Sequence, residues 1–316
     1  EQLVSFNGEK PKPIPESIKD PADMSVNRSN TTQARDILKQ DEGGNMNMSL
    51  AEMEKHLKTL RLHGMIATLE TRIVQANQGA SFTEVFACLI QDELDYRKSR
   101  LTQTRLKASG LTEQPTLTEF DWGFNPKLPK MDIYELVSGK FIREGHDALL
   151  IGSPGTGKSM IAKTVANAAI LAGYKVVYRE AHTFFEDLFE ATQLKRRKKI
   201  SKLFSETDLL IIDDLFLRKK MPEQAADDLL EIILNRYSAK KSTLLTSNRL
   251  VEDWGKLLRD NTASSAILDR LLHHGHLLKF EGKSYRLKEA ASRISQSKQK
   301  KQDEKGKNMD LSKEDL

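Results

Sequence analysis

Eight residues restrict this chain more than any others: Gly152-Ser153-Pro154-Gly155-Thr156-Gly157-Lys158-Ser159, which satisfy the pattern G-x-x-x-x-G-K-[ST]. They stand between the apolar run Ala148-Leu149-Leu150-Ile151 and the helix-like run Met160 to Val165. A strand, a glycine turn and a helix start in that order make a phosphate cradle, because the glycines let successive backbone N–H groups face the ligand while the helix turns its positive end toward it. In such a loop Lys158 neutralises the β- and γ-phosphates of ATP and the Ser159 hydroxyl ligates Mg²⁺.

Three further apolar runs, Lys175-Val176-Val177-Tyr178, Leu209-Leu210-Ile211-Ile212 and Thr243-Leu244-Leu245-Thr246, alternate with amphipathic stretches. That alternation predicts an α/β domain with a parallel sheet flanked by helices. The run ending at Ile212 leads into Asp213-Asp214, which by themselves would read as a turn or helix cap. Behind a P-loop they read as a Walker B element: Asp213 acts on Mg²⁺, directly or through water, and Asp214 orients or deprotonates the attacking water. Asn248, just past the next strand, is placed to sense the γ-phosphate or that water.

Around this core the composition changes. Residues 1–47 are rich in Pro, Asn, Ser, Lys and Asp with no sustained period, and a disordered leader is expected. Met46 and Met48 directly precede the first helical pattern, and a native start at one of them is expected. Residues 48–110 carry helical periodicity and two capping-box signatures, Ser49 with Glu52 and Ser81 with Glu84, predicting a small α-helical domain. A loop-rich connector with a short helix near Met131 to Val137 is expected over 111–146, the ATPase domain over 147–290, and a disordered charged tail over 291–316. No stretch approaches the roughly 18 apolar residues of a membrane span. The lone Cys88 excludes an internal disulfide and reads as a small hydrophobe, so a cytoplasmic protein without membrane partners is expected.

Fifty Lys and Arg against 45 Asp and Glu leave a net charge of only +5, so any case for nucleic acid rests on local clusters. One lies in the helical pattern from Tyr96 to Lys107, where Lys98 and Arg105 form one row and Arg100 and Lys107 another, expected to flank an apolar stripe and meet phosphates on either side of a groove. The other is Lys195-Arg196-Arg197-Lys198-Lys199, with no acid nearer than Glu190 and Glu206, and Arg218-Lys219-Lys220 is expected to extend it. Neither Lys195 to Lys199 nor Arg218 to Lys220 interleaves aromatics, which indicates backbone contact rather than base stacking there. His273, His274 and His276 have no Cys or carboxylate at ligand spacing and read as structural.

Asp213-Asp214-Leu215, Leu245-Thr246-Ser247-Asn248-Arg249, Asp253-Trp254, Ile267-Leu268-Asp269-Arg270-Leu271-Leu272-His273-His274 and Glu281-Gly282-Lys283-Ser284-Tyr285-Arg286 resemble the IstB branch of the AAA+ ATPases, as do Leu60 to Met65 and Tyr96 to Leu111 in the helical domain. The resemblance covers about residues 48–290. It implies an AAA+ P-loop NTPase core with a parallel five-stranded sheet behind a helical domain for DNA binding and oligomerisation. It further implies an ATPase that assembles as a homo-oligomer on duplex DNA, with ATP sites at subunit interfaces, and that recruits or stimulates the transposase of its insertion sequence. Arg270 matches the family's arginine in the Asp-Arg-Leu run and is implied as an arginine finger for a neighbour's ATP, a structural ion pair with Asp269 or a nearby helix being the alternative. A DnaC-like helicase loader is the related second reading, and a small-molecule kinase a third that shares only the P-loop. Two departures stand out. The second Walker B acid is Asp214 where AAA+ proteins commonly carry Glu, and the chain runs out soon after Arg286, which is too soon for a full helical lid and leaves Arg286 as a candidate for the lid arginine.

Overall fold

The computed structural model describes residues 48–217 and 221–293. The expected leader, Arg218-Lys219-Lys220 and the tail from 294 onward lie outside the described residues. The chain divides into two compact units at Ser99 and Arg100.

The first unit holds α1 (Leu50–Thr59), α2 (His63–Asn77) and the beginning of α3 (Phe82–Ser109). Both capping boxes form: Glu52 and Glu84 each accept hydrogen bonds from the backbone N–H and hydroxyl of Ser49 and Ser81 respectively. The N-cap of α2 is Leu62, which offers no side-chain acceptor. Buried Glu93 of α3 takes over that task, its Oε2 accepting from the amides of Gly64 at 2.6 Å and Met65 at 3.3 Å. Burial alone would push the Glu93 carboxyl up, but Arg97 and these two amides outweigh it and hold it below the usual range. Gly64 is required here, since a Cβ would stand 2.6 Å from the Glu93 Cα.

The second unit carries a five-stranded sheet in the order β2-β3-β4-β1-β5, with every neighbouring pair parallel. The strands are β1 (Ala148–Gly152), β2 (Val176–Glu180), β3 (Leu209–Leu215), β4 (Ser242–Ser247) and β5 (His276–Phe280). Successive residues face opposite layers. Leu149, Ile151, Leu210 and Ile212 join one core with α7 (Ala181–Gln193), α8 (Arg197–Glu206), α9 (Ala225–Ser238), α10 (Trp254–Leu258) and α11 (Asn261–His273). Ala148, Leu150, Leu209 and Ile211 join the other with α4 (Lys130–Val137), α5 (Lys140–Glu144) and α6 (Lys158–Leu171). Because both faces are covered, three of the strands read in sequence as unbroken apolar runs.

Three differences from the sequence reading have physical reasons. The end of α3 belongs to the second unit, where Leu106 and Leu111 pack on the β-sheet core, so compactness divides the chain before the helix ends near 110. The histidine run at 273–276 ends α11 and opens β5, an edge strand with only Leu278 and Phe280 buried. Residues 285–293 are helical, carrying order three residues into the expected tail. Among the described residues no helix is long and apolar enough to cross a membrane.

Candidate nucleotide site

The P-loop connects β1 to α6 at the carboxyl end of the sheet, the edge where open α/β folds bind ligands. Gly152, with φ at 144°, lies so close to β5 that a Cβ would stand 2.1 Å from the Phe280 carbonyl oxygen. The loop continues through Ser153 and Pro154, and left-handed Gly155 accepts a 2.8 Å hydrogen bond from the Tyr285 amide. Thr156 donates its hydroxyl to the Ser153 carbonyl at 2.8 Å. Gly157 then caps α6 in a left-handed conformation, which leaves the first helical amides open to a ligand.

Lys158 curls back over the loop, its Nζ donating to the carbonyls of Gly152 and Ser153, both at 2.8 Å. Burial pulls its pKa down to about 8, with Arg286 adding to the effect while Asp214 and Asp213 oppose it. Lys158, Ser159, Asp214, Asn248 and Arg286 line one cavity of about 230 Å³. The same cavity is lined by aromatic residues to which the sequence reading gave no role: Phe120 and Phe124 of the connector and Tyr285 after β5. Asn125 fastens those two segments, accepting from the Lys283 amide and donating to its carbonyl at 3.0 Å each, and Lys288 pairs with Asp121 at 2.9 Å.

Asp213 is 3% exposed near the end of β3. Its Oδ2 accepts from the Tyr178 hydroxyl at 2.5 Å, and its Oδ1 accepts from the Thr246 hydroxyl. Immediately afterwards the β3–β4 register shifts, and Asp214 takes a left-handed φ of 55°. Asp is enriched in that region over most non-glycine residues, so the shorter acid suits this position. The Asp214 amide donates to Thr246 Oγ1 at 2.8 Å. Burial pushes the Asp214 carboxyl up, as does Asp213 beside it, while Lys158 and Arg286 pull it back. Asn248 Nδ2 lies 3.4 Å from Asp214 Oδ1, and among the described residues its own buried Oδ1 has no hydrogen-bond donor.

Other residues singled out in the sequence are placed differently. Arg270 does not line this cavity; it pairs with Asp269 and lies 5.5 Å above the Tyr237 ring. It belongs to the last turn of α11, which leads to β5 at the sheet edge opposite the P-loop. Arg197 is tied to Asp228 at 2.8 Å and Glu231 at 2.7 Å of α9, so its charge is spent within the fold, whereas Lys195, Arg196, Lys198 and Lys199 have no such pair among the described residues. Two helical residues turn about 200°, so the Lys98/Arg105 row and the Arg100/Lys107 row lie on opposite sides of α3 rather than flanking one stripe. Arg105 is in addition half-buried beside Gly173. Among the described residues no three His, Cys, Asp or Glu side chains gather as a metal cage. Ser159 and Asp213 nevertheless suit nucleotide-borne Mg²⁺, which takes one or two protein oxygens beside phosphate and water.

Residues 55–293 match the family model described as IstB-like ATP binding protein. An insertion sequence IS21 protein of Pseudomonas aeruginosa, named for ATP binding, is 33% identical over 75% of this chain and 89% of its own length. An insertion sequence IS5376 protein of Geobacillus stearothermophilus, also named for ATP binding, is 34% identical over 70% of this chain and 87% of its own. Among solved structures, AMPPCP-bound DnaA from Aquifex aeolicus matches with a TM-score of 0.47 at 22% identity over 59% of this chain and 56% of that one. The DnaC helicase loader matches with a TM-score of 0.42 at 21% identity over 48% of this chain and 87% of that one.

Proposed function

The chain belongs to the family of IstB-like ATP binding proteins, and from that premise we propose that it is an ATP-hydrolysing, DNA-binding helper of insertion-sequence transposition. In this reading it assembles on duplex DNA as a homo-oligomer and recruits or stimulates the transposase of the same element. One observation carries the hydrolytic part: Lys158, Ser159, Asp214 and Asn248, from a P-loop and the ends of two further strands, converge on a single cavity.

Each group has a task there. Lys158 exchanges its two carbonyl acceptors for β/γ-phosphate oxygens, regaining the charge that burial disfavours. The aromatic wall of Phe120, Phe124 and Tyr285 takes the adenine ring. Ser159 and Asp213 are the oxygen donors that hold Mg²⁺, which when bound supplies positive charge against the phosphates. Asp214 accepts the proton of the attacking water, and the unpartnered Asn248 Oδ1 fixes that water's orientation. Arg270, remote from its own P-loop, completes the site of a neighbouring subunit.

Lys195, Arg196, Lys198 and Lys199 form the primary surface for the DNA backbone, with exposed Arg100 and Lys107 of the same unit contributing; exposed Lys98, in the first unit, is a separate candidate contact. The experiment is phosphate release by wild type, Lys158→Ala, Arg270→Ala and an equimolar mixture of the two variants. Each variant alone is expected to be inactive, and the mixture to regain activity wherever an intact P-loop meets an intact Arg270. Full turnover by Lys158→Ala would refute the nucleotide assignment; no recovery in mixtures shown to exchange subunits would refute the role of Arg270 in trans.

A further inference from the structure

Asp213 is held from both sides of its strand. Tyr178 on β2 is in register with Ile211, two residues before Asp213 on the same face of β3, and its side chain reaches forward along the sheet to the carboxylate. Thr246 on β4 approaches from the other neighbour and makes two contacts, donating to Asp213 Oδ1 and accepting from the Asp214 amide. Each carboxylate oxygen has two lone pairs, so one on each remains for a further partner. Apart from its hydroxyl, Tyr178 is a core residue packed among apolar side chains, where phenylalanine would fit equally well. A hydroxyl in that place specifies something that packing does not.

We propose that Tyr178 and Thr246 are positioning residues for the acidic end of β3. The two hydroxyls fix the rotation of the Asp213 carboxylate about its Cβ–Cγ bond, and Thr246 also pins the left-handed backbone that aims Asp214 into the cavity. The metal-facing lone pairs of Asp213 are thereby set before ATP·Mg²⁺ arrives. This rests on the nucleotide and metal reading of the site given above. Partners that orient a ligating group from behind typically change metal affinity by about 10- to 100-fold when removed. Neither residue lines the cavity, so their loss should leave metal-free binding alone.

The test is an Mg²⁺ titration of the full chain with a fluorescent, non-hydrolysable ATP analogue, beside the same measurement in EDTA. Variants are Tyr178→Phe, Thr246→Val and Thr246→Ser. Tyr178→Phe and Thr246→Val are expected to match wild type in EDTA and to need about tenfold more Mg²⁺ for the gain in affinity. Thr246→Ser, which keeps the hydroxyl, is expected to match wild type throughout. Unchanged Mg²⁺ midpoints in Tyr178→Phe and Thr246→Val, against a wild type that does respond to Mg²⁺, overturn the inference alone. A wild type whose affinity ignores Mg²⁺ overturns the metal reading and the inference with it. Should Tyr178→Phe lose its fold, the Thr246→Val and Thr246→Ser pair decides, because equal midpoints for those two exclude a role for the hydroxyl.

Discussion

Asp147, at the start of β1, offers a test of the fold with a definite sign. Its Oδ1 accepts the Thr243 amide at 2.6 Å, yet burial pushes the carboxyl up to about 6, with that hydrogen bond and Arg236 only partly opposing. Between the ordinary carboxylate value of 3.8 and about 6 the folded state binds more protons than the unfolded one. Stability from this group is therefore fully present below the lower value and lost as pH rises through the upper one. With about 1.36 kcal/mol per pKa unit, linkage gives a cost of about 1.6 kcal/mol at pH 5 and about 3 kcal/mol at pH 8. Asp147→Asn keeps the acceptor and removes the charge, so its stability relative to wild type should improve by about 1.4 kcal/mol between those two pH values. Urea unfolding followed by the fluorescence of fully buried Trp254 measures this, and any fixed steric cost of the amide cancels in the difference. A relative stability that is the same at both pH values would refute the assignment of a buried, raised carboxyl.

Fully buried Arg236 donates to the carbonyls of Phe204, Thr207 and Ser242 and to Thr243 Oγ1. Arg236→Met should lose at least about 3 kcal/mol in the same unfolding assay, since each buried acceptor left without a donor costs about 1–3 kcal/mol. Asp214→Asn should bind the ATP analogue as wild type does while releasing phosphate at least about 100-fold more slowly, the scale of a lost general base. Because burial holds Lys158 near 8, ATP affinity measured by titration should fall as pH rises from 8 to 9, and this fall should vanish in Lys158→Ala. Changing Lys195, Arg196, Lys198 and Lys199 to Gln should flatten the salt dependence of duplex binding by about 0.9 per lost phosphate contact, whereas Arg197→Gln should act on stability.

What could be read from the sequence followed the physics of local patterning. The P-loop, the Walker B strand and both capping boxes announce themselves because a phosphate cradle, a doubly covered strand and a helix start each demand particular residues at short spacing. β5 did not stand out, since an edge strand with two buried residues and a leading histidine lacks an apolar run. The aromatic wall of the cavity was hidden because Phe120 and Phe124 meet Tyr285 only through the fold, and the link from Tyr178 to Asp213 spans 35 residues. Charge runs were the least informative signal: the ion pairs of Arg197 come from a helix that begins well downstream, and the rows Lys98/Arg105 and Arg100/Lys107 of α3 lie about 200° apart.

The proposed ATP site and the proposed assembly on duplex DNA belong to one function if the nucleotide controls binding, and fluorescence anisotropy of labelled duplex DNA tests that most directly. Wild type with a non-hydrolysable ATP analogue and Mg²⁺ should form a large, tight complex, while wild type with ADP and Lys158→Ala with the analogue should bind weakly. Equal affinity in all three conditions would contradict the account.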